Sequence, residues 1–489
     1  MPYAANNPIH LDAVADGLAK NPALPPESVH RLFAHRRGFG EIAKRPDLTD
    51  DTIGAIIAAG DYWLTHSLAL NRALPHAHRM TLARHPDPGI RVALAVAAAD
   101  APREMFERLL ADPDPRVREQ VVENDHVPED LRARSAADPD PGVRAALAQW
   151  WPGAPEAVRR ILLTDPDDSV RAGACSTYYR RLPRPVPPAD LVPALLADPV
   201  TRAGAVRHTA LDAEAASRLA DDPDEDVRRE LAAHPGIPSS VRDVLAEDPS
   251  ALVRLRVFAR PDTPPSTRAA IHARIVTHGS DWLADHLDYL DDDAPERELT
   301  HHLAWAELRS LRLPWVTADP LPHVDSPYAC FRASAAMSDC LPEQVVARLL
   351  HDEESDVRTT MALHARDRID PATAERIDRS HRPAKRTAWR PADEFPLPAA
   401  VLRLLATDPE PRMRQLATRE PDLPSELLRA LAADSDPGVR RTVAAHPGVP
   451  LRELTRLLAD PSEQVATAAA GNPVLPPAEM HRLLALAGL

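Results

Sequence analysis

The chain has 489 residues and a formal net charge of −15, with 44% hydrophobic and 27% charged residues. Proline is abundant (53 residues), whereas glycine (16) and aromatics (4%) are scarce, which argues against aromatic-rich, glycine-turned β folds; the apolar content is too high and too regularly placed for disorder. The acidic balance excludes a chain-wide basic footprint for nucleic acid, and nearly all basic residues are arginine, lysine occurring only at Lys20, Lys44 and Lys385, as in a GC-rich genome.

From the amino terminus, residues Met1 to Asp16 show no basic stretch followed by an apolar run, so no signal peptide is expected, and no apolar run is long enough to span a bilayer. The first punctuation mark is Leu24-Pro25, repeated as Leu74-Pro75, Val127-Pro128, Ile237-Pro238, Leu341-Pro342, Leu423-Pro424, Val449-Pro450 and Leu475-Pro476. Between these marks runs a second phrase, Asp-Pro-x-x-x-Val-Arg, ending at Arg118, Arg144, Arg171, Arg228 and Arg254, with weaker copies ending at Arg91, Arg332, Arg358, Arg414 and Arg440. Neighbouring arginines stand 26 or 27 residues apart. A fixed period of this length marks a stacked repeat array, about 18 copies over nearly the whole chain.

Each copy reads as two short helices. In the copy at Asp222, Asp222 serves as N-cap with Pro223 at the first helical position, and Val227, Leu231 and Ala232 share the core face. The helix stops at His234-Pro235; a second follows Ile237-Pro238, burying Val241, Val244 and Leu245, and ends before Asp248-Pro249. Helices of ten residues are not stable alone, so they stack into one continuous core, an all-α solenoid. The regular segments are 1–264 and 326–489; the phrase lapses across 265–325, and a stretched basic connection lies near 366–397.

The phrase with its Asn/His-Pro and Leu-Pro continuation, as in Asn472-Pro473-Val474-Leu475-Pro476 and His446-Pro447-Gly448-Val449-Pro450, resembles the leucine-rich repeat variant family, and its Asp-to-Arg spacing is similar to that of HEAT repeats. The resemblance implies a right-handed superhelix of paired short helices, one sometimes 3₁₀, with Asp capping its helix and pairing with an Arg of the same or the next repeat. A member of the variant family carries an amino-terminal iron–sulfur cluster; this sequence has no cysteine before Cys175, so that feature does not transfer and no cofactor is expected. Three far-spaced cysteines, Cys175, Cys330 and Cys340, suit a reducing cytoplasm.

Candidate functional residues fall into four groups. Glu119, Arg229, Thr359, Gln415 and Arg441 occupy variable positions of the Asp-Pro helices and are read as contacts for a protein or peptide partner on the concave surface. Trp282, Tyr289, Trp305 and Trp315 concentrate in the lapsed region, as core filler or as anchors of a binding pocket. Segment 281–298 is acidic and flanked by histidines, but it lacks a calcium-loop pattern and reads as a solvated charged loop or a contact for a basic partner. Arg382, Lys385 and Arg386 with Trp389, and Tyr178, Tyr179, Arg180, Arg181 and Arg184, form two basic islands, read as solvated loop charge or as sites for a phosphate or nucleic-acid anion. His234, His446 and Asn472 read as helix C-caps rather than metal ligands. No phosphate loop, nucleophile elbow or His-Glu-x-x-His motif occurs. The expected function is a non-enzymatic scaffold; the alternative is a nucleic-acid-binding or glycosylase-like solenoid.

Overall fold

The computed structural model describes residues 10–34, 40–176, 178–179, 182–285, 296–381, 389–395 and 397–489; of residues 34, 178–179, 182–183, 278–285 and 296–300 only the backbone is described. Among the described residues short helices follow one another, with two longer ones, Pro265–Asp285 and Glu296–Ser310, in the lapsed region and an antiparallel pairing of Tyr178–Tyr179 with Leu182–Pro183. The chain divides into two compact units, Met1–Val143 with Leu397–Leu489, and Arg144–Pro396. No helix among the described residues is long and apolar enough to cross a membrane.

Most regular repeats pair an Asp-capped helix with a helix entered through the Leu-Pro mark; Ser250, Glu354, Glu410 and Ser462 stand at the cap position in others. In Pro115–Val122, Asp114 caps the helix by accepting from Arg116 N, and Val117, Val121 and Val122 are buried. These are the third, seventh and eighth residues after the cap, a spacing that puts them on one face. Pro437–Ala444 repeats the arrangement with cap Asp436 and buried Val439, Val443 and Ala444.

The cap lies two residues later than the sequence phrase suggests. Glu225–Ala233 is capped by Asp224, whereas Asp222 is buried, its Oδ1 accepting from Asp224 N at 3.0 Å and its Oδ2 meeting Arg202 Nη1 at 2.8 Å. Leu231 is fully buried and the helix stops at His234, but Val244 is 58% exposed and does not join Val241 and Leu245 in the core.

The buried aspartates and the phrase arginines form a ladder. The Arg118 guanidinium donates Nη1 to Asp112 O, six residues back, at 2.8 Å and grips Asp138 of the next repeat through Nε and Nη2 at 2.8 and 2.9 Å. In the same unit Arg91–Asp112, Arg414–Asp434 and Arg440–Asp460 repeat it. In the other unit Arg144–Asp165, Arg171–Asp198, Arg202–Asp222, Arg228–Asp248 and Arg332–Asp352 do so. Each pair welds a helix end to its successor. The ladder changes at Arg254, which keeps its backbone bonds to Asp248 O and Pro249 O although position 274, one step on, holds Arg274 rather than aspartate.

A third set of bonds closes each helix end onto the preceding repeat. Asn472 Nδ2 donates to Ala444 O and His446 O at 2.8 and 3.0 Å, Asn71 does the same to Ala43 O and Arg45 O, and His446 Nε2 donates to Glu420 O at 2.9 Å. These side chains thus satisfy C-terminal carbonyls of the neighbour in addition to ordering their own turn: His446 Nδ1 accepts from Gly448 N, and Asn472 Oδ1 from Val474 N.

In the unit formed by the two chain termini, this bond set also joins the ends. Asn21 Nδ2 donates to Ala470 O and Asn472 O, both at 2.8 Å, and Asn21 is fully buried. Leu11–Lys20 packs along Glu463–Ala470, Arg31 Nε donates to Leu489 O at 3.1 Å, and His10 Nε2 to Pro461 O at 3.1 Å. The first repeat is stacked on the last in the register that internal repeats use.

Candidate functional site

The ladder holds these helices side by side and in most of them commits the fourth residue, an arginine; Thr65 and Ala466 stand at that position in Tyr62–Ala69 and Glu463–Ala470. What remains open on that face are the second, fifth and ninth residues after each cap. Two contacts fix the register between neighbours: Arg441, a fifth residue, lies 3.5 Å from Gln464 of the next helix, and a Cβ on Gly438 would lie 2.6 Å from Gln415 Nε2. The fifth position of one helix therefore faces the second position of the next.

Four of the partner-contact candidates stand on this face. Glu119 and Gln415 are half-buried and Arg441 is exposed, while Arg229 is tied to its own helix through Asp226 at 2.7 Å. Gln415 and Arg441 are neighbours in register; Arg229 lies in the other unit. Thr359 departs from expectation: although it shares the register, it is buried, and its neighbour Thr360 meets Arg312, which also binds Asp356 at 2.7 Å.

The lapsed region has a ring cluster at its centre. Trp315 donates Nε1 to Ala259 O at 2.9 Å and meets Phe331 and His323 edge-on at 5.5 and 5.1 Å. Phe258, fully buried, packs on Tyr328 and Phe331, and His272 on Tyr328. The Arg268 guanidinium lies 5.2 Å from the Phe331 ring while donating Nε to Phe258 O and Nη2 to Arg260 O. Arg132, Arg242 and Arg268 each stand four residues after the helix-opening proline and bond nearby main-chain carbonyls, Arg132 to Val122 O and Arg242 to Asp262 O. This second arginine class was not evident from the sequence phrase. Burial lowers the pKa of Arg268, His272 and His323, so the cluster disfavours charge. Trp315 is thereby engaged in packing, and Trp305 stands apart with Arg309 4.9 Å from its ring.

Trp282 is placed only as a backbone position in Pro265–Asp285, and Tyr289, Arg382, Lys385 and Arg386 lie outside the described residues, as do Arg180 and Arg181. Trp389 meets His381 edge-on at 5.5 Å, and beside it Arg390 holds the buried Asp378, Nε to Oδ1 at 2.9 Å. Arg184 donates to Ala148 O and Gln149 O. Among the described residues no three His, Cys, Asp or Glu side chains converge to hold a metal ion. Burial pushes the Cys175 and Cys330 thiols up to about 12, which leaves them protonated; Cys340 is exposed.

One cluster escaped sequence reasoning. Tyr62 and Trp63 are 40% and 67% exposed on Tyr62–Ala69, their rings 5.0 Å apart, with His66 5.7 Å from Tyr62. The signal was available: two aromatics follow Asp61 where other repeats place proline and a small or charged residue.

No family model and no curated protein matches this chain. Among solved structures, it is similar to one described as a leucine-rich repeat variant with a novel repetitive protein structural motif, at 23% identity over 45% of this chain and 84% of that one, with a TM-score of 0.32.

Proposed function

We propose that the protein is a non-enzymatic repeat scaffold whose Asp-capped helices present a protein- or peptide-binding face. Membership in the leucine-rich repeat variant family and a cytoplasmic location belong to the same reading. The observation that carries it is the division of labour along these helices: in most of them the fourth residue is an arginine committed to the ladder, while the second, fifth and ninth differ from repeat to repeat, as in Arg116, Glu119 and Glu123 against Arg412, Gln415 and Arg419. A repeated frame with variable side chains suits an extended partner.

A nucleic-acid groove needs a run of uncommitted cations following a phosphate backbone. Here most phrase arginines meet carboxylates of the next repeat, and the open positions mix Glu119, Gln415 and Arg441. That favours a protein partner. The test is a photo-crosslinking residue placed in turn at positions 119, 415, 441 and, on a Pro-entered helix, 426, in the native host. Adducts to the same protein from the first three positions and none from 426 support the scaffold; nucleic-acid adducts, or equal labelling at 426, overturn it.

A further inference from the structure

Three consecutive Asp-capped helices, Tyr62–Ala69, Pro88–Ala97 and Pro115–Val122, differ in chemistry across their open face. The first presents the exposed Tyr62 and Trp63 with His66. The middle helix presents only Gly89, Val92 and Val96 at the second, fifth and ninth positions, and Val96 is 50% exposed. Gly89 is what lets the aromatic side reach over: a Cβ there would lie 2.7 Å from the Tyr62 hydroxyl. The third helix presents Glu119, Gln120 and Glu123, all half-buried, with Gln120 Nε2 donating to Glu123 Oε2 at 3.0 Å. Of the cations on that helix, Arg116 at the second position is taken by Asp114 at 2.7 Å and Arg118 by Asp138 at 2.8 Å.

The result is a low apolar floor between an aromatic wall and a carboxylate wall, the Tyr62 hydroxyl and the Glu119 carboxylate making no hydrogen bond among the described residues. An acidic side chain would meet repulsion at Glu119 and Glu123, and a purely apolar one would leave them without a counter-charge. A long basic side chain matches all three surfaces: its methylene stem covers Val92 and Val96, its charge meets the carboxylates, and a neighbouring cation stacks on the Trp63 ring. We infer that this face, formed by Tyr62, Trp63, Val92, Val96, Glu119 and Glu123, docks a basic peptide segment in which arginine or lysine alternates with apolar residues.

The assignment rests on the scaffold reading and specifies the partner's chemistry. Burial, with the Glu119 charge beside it, raises the Glu123 pKa above the usual carboxylate range, the direction expected of a carboxylate pair that lacks its counter-charge. Adjacent helices are about 8–10 Å apart and an extended strand advances about 3.3 Å per residue, so the three helices span roughly five or six peptide residues.

The experiment titrates the full chain into a fluorescein-labelled peptide of alternating leucine and arginine, long enough to cross the three helices, and reads anisotropy at physiological salt. The same peptide with glutamine for arginine is the control. Saturable binding of the arginine peptide is expected, with the glutamine peptide at least about tenfold weaker. Glu119→Gln with Glu123→Gln is expected to weaken the arginine peptide by about tenfold, and Trp63→Ala by a smaller factor, while Glu426→Gln changes nothing. Equal melting temperatures show that the variants are folded. Absence of saturable binding, equal binding of the glutamine peptide, or binding that survives the double glutamine change overturns the assignment. Such failure is separable from failure of the scaffold reading, because the crosslinks at positions 415 and 441 lie outside this face and test that reading independently.

Discussion

Gly17 tests whether the first repeat is seated on the last. It lies inside Leu11–Lys20, and a Cβ built on it would sit 2.3 Å from Thr467 O and 2.6 Å from the Ala470 Cβ. Thr467 O is helix backbone and Ala470 Cβ is attached directly to it, so no flexible side chain can swing aside. Gly17→Ala therefore forces the two helices apart, at a cost near the upper end of about 1–3 kcal/mol for overpacking. Alanine is also the better helix former by about 1 kcal/mol, which offsets part of that cost. The net expectation is a loss of about 2 kcal/mol. Gly54 is the matched control, since it lies within Asp50–Ala58 and nothing comes within 4 Å of its added Cβ. Gly54→Ala should stabilise by about 0.5–1 kcal/mol from propensity alone. Urea denaturation gives both numbers, and hydrogen exchange over residues 11–20 and 463–470 locates the effect. If Gly17→Ala stabilised the protein as Gly54→Ala does, the packing of the two termini described above would be refuted, because the sign and not merely the size would be wrong.

Three further outcomes follow from the repeat geometry. Asp434→Ala strips the partner from Arg414 and the acceptor from Asp436 N, and should cost about 3 kcal/mol by urea melting, with Asp434→Asn milder because an amide oxygen can still take the backbone bond. Leu231→Ala empties a fully buried site and should cost about 2–5 kcal/mol, and Asp222→Ala should cost more than a lost cap, about 1 kcal/mol, since it breaks both the Asp224 N bond and the Arg202 pair; a cost for Asp222→Ala no larger than that for Asp224→Ala would count against the ladder. Burial holds His208, His234, His272 and His323 below the ordinary histidine range, so the unfolded chain takes up protons first and stability should fall as pH drops below about 6.5. Hydrogen bonds from Arg144 and Arg414 hold Asp165 and Asp434 below the usual carboxylate range; their contribution is complete above about pH 4 and lost as pH falls through the folded values. Urea midpoints that stay flat between neutral pH and about pH 5 would contradict the histidine part.

The helical stack was legible because its periodicity is carried by residues with one job each. Valine at the third position goes to the core and arginine at the fourth in most repeats to the ladder, Arg254 being an exception, so spacing alone located Val117 and Arg118. The cap was misplaced because the phrase holds two acidic positions two residues apart: Asp222 and Asp224 both accept backbone N–H bonds, and only the fold shows which one opens the helix. The junction of the termini was written at both ends of the chain, Asn21-Pro22-Ala23-Leu24-Pro25 matching Asn472-Pro473-Val474-Leu475-Pro476, but likeness of phrase does not disclose contact between them. On the candidate face, single positions such as Glu119 and Arg441 were found from register, whereas the Trp63 wall and the Val92–Val96 floor were missed, because their meaning depends on three neighbouring helices taken together.

An open array of repeats behaves as a one-dimensional chain of coupled spins: each internal member has two neighbours, each terminal member one, and melting begins at the ends unless special capping repeats are added. In the unit holding both termini, Leu11–Lys20 has Glu463–Ala470 on one side and Gly40–Ala43 on the other, so neither terminal repeat is short of a neighbour. Covalent order and coupling order have come apart: Leu11–Lys20 and Glu463–Ala470, far apart in sequence, are coupled as internal neighbours are. Fraying, the usual first event in an array, then has no preferred starting point at these two helices, and cleaving the chain at a Leu-Pro turn elsewhere in this unit leaves their coupling unchanged.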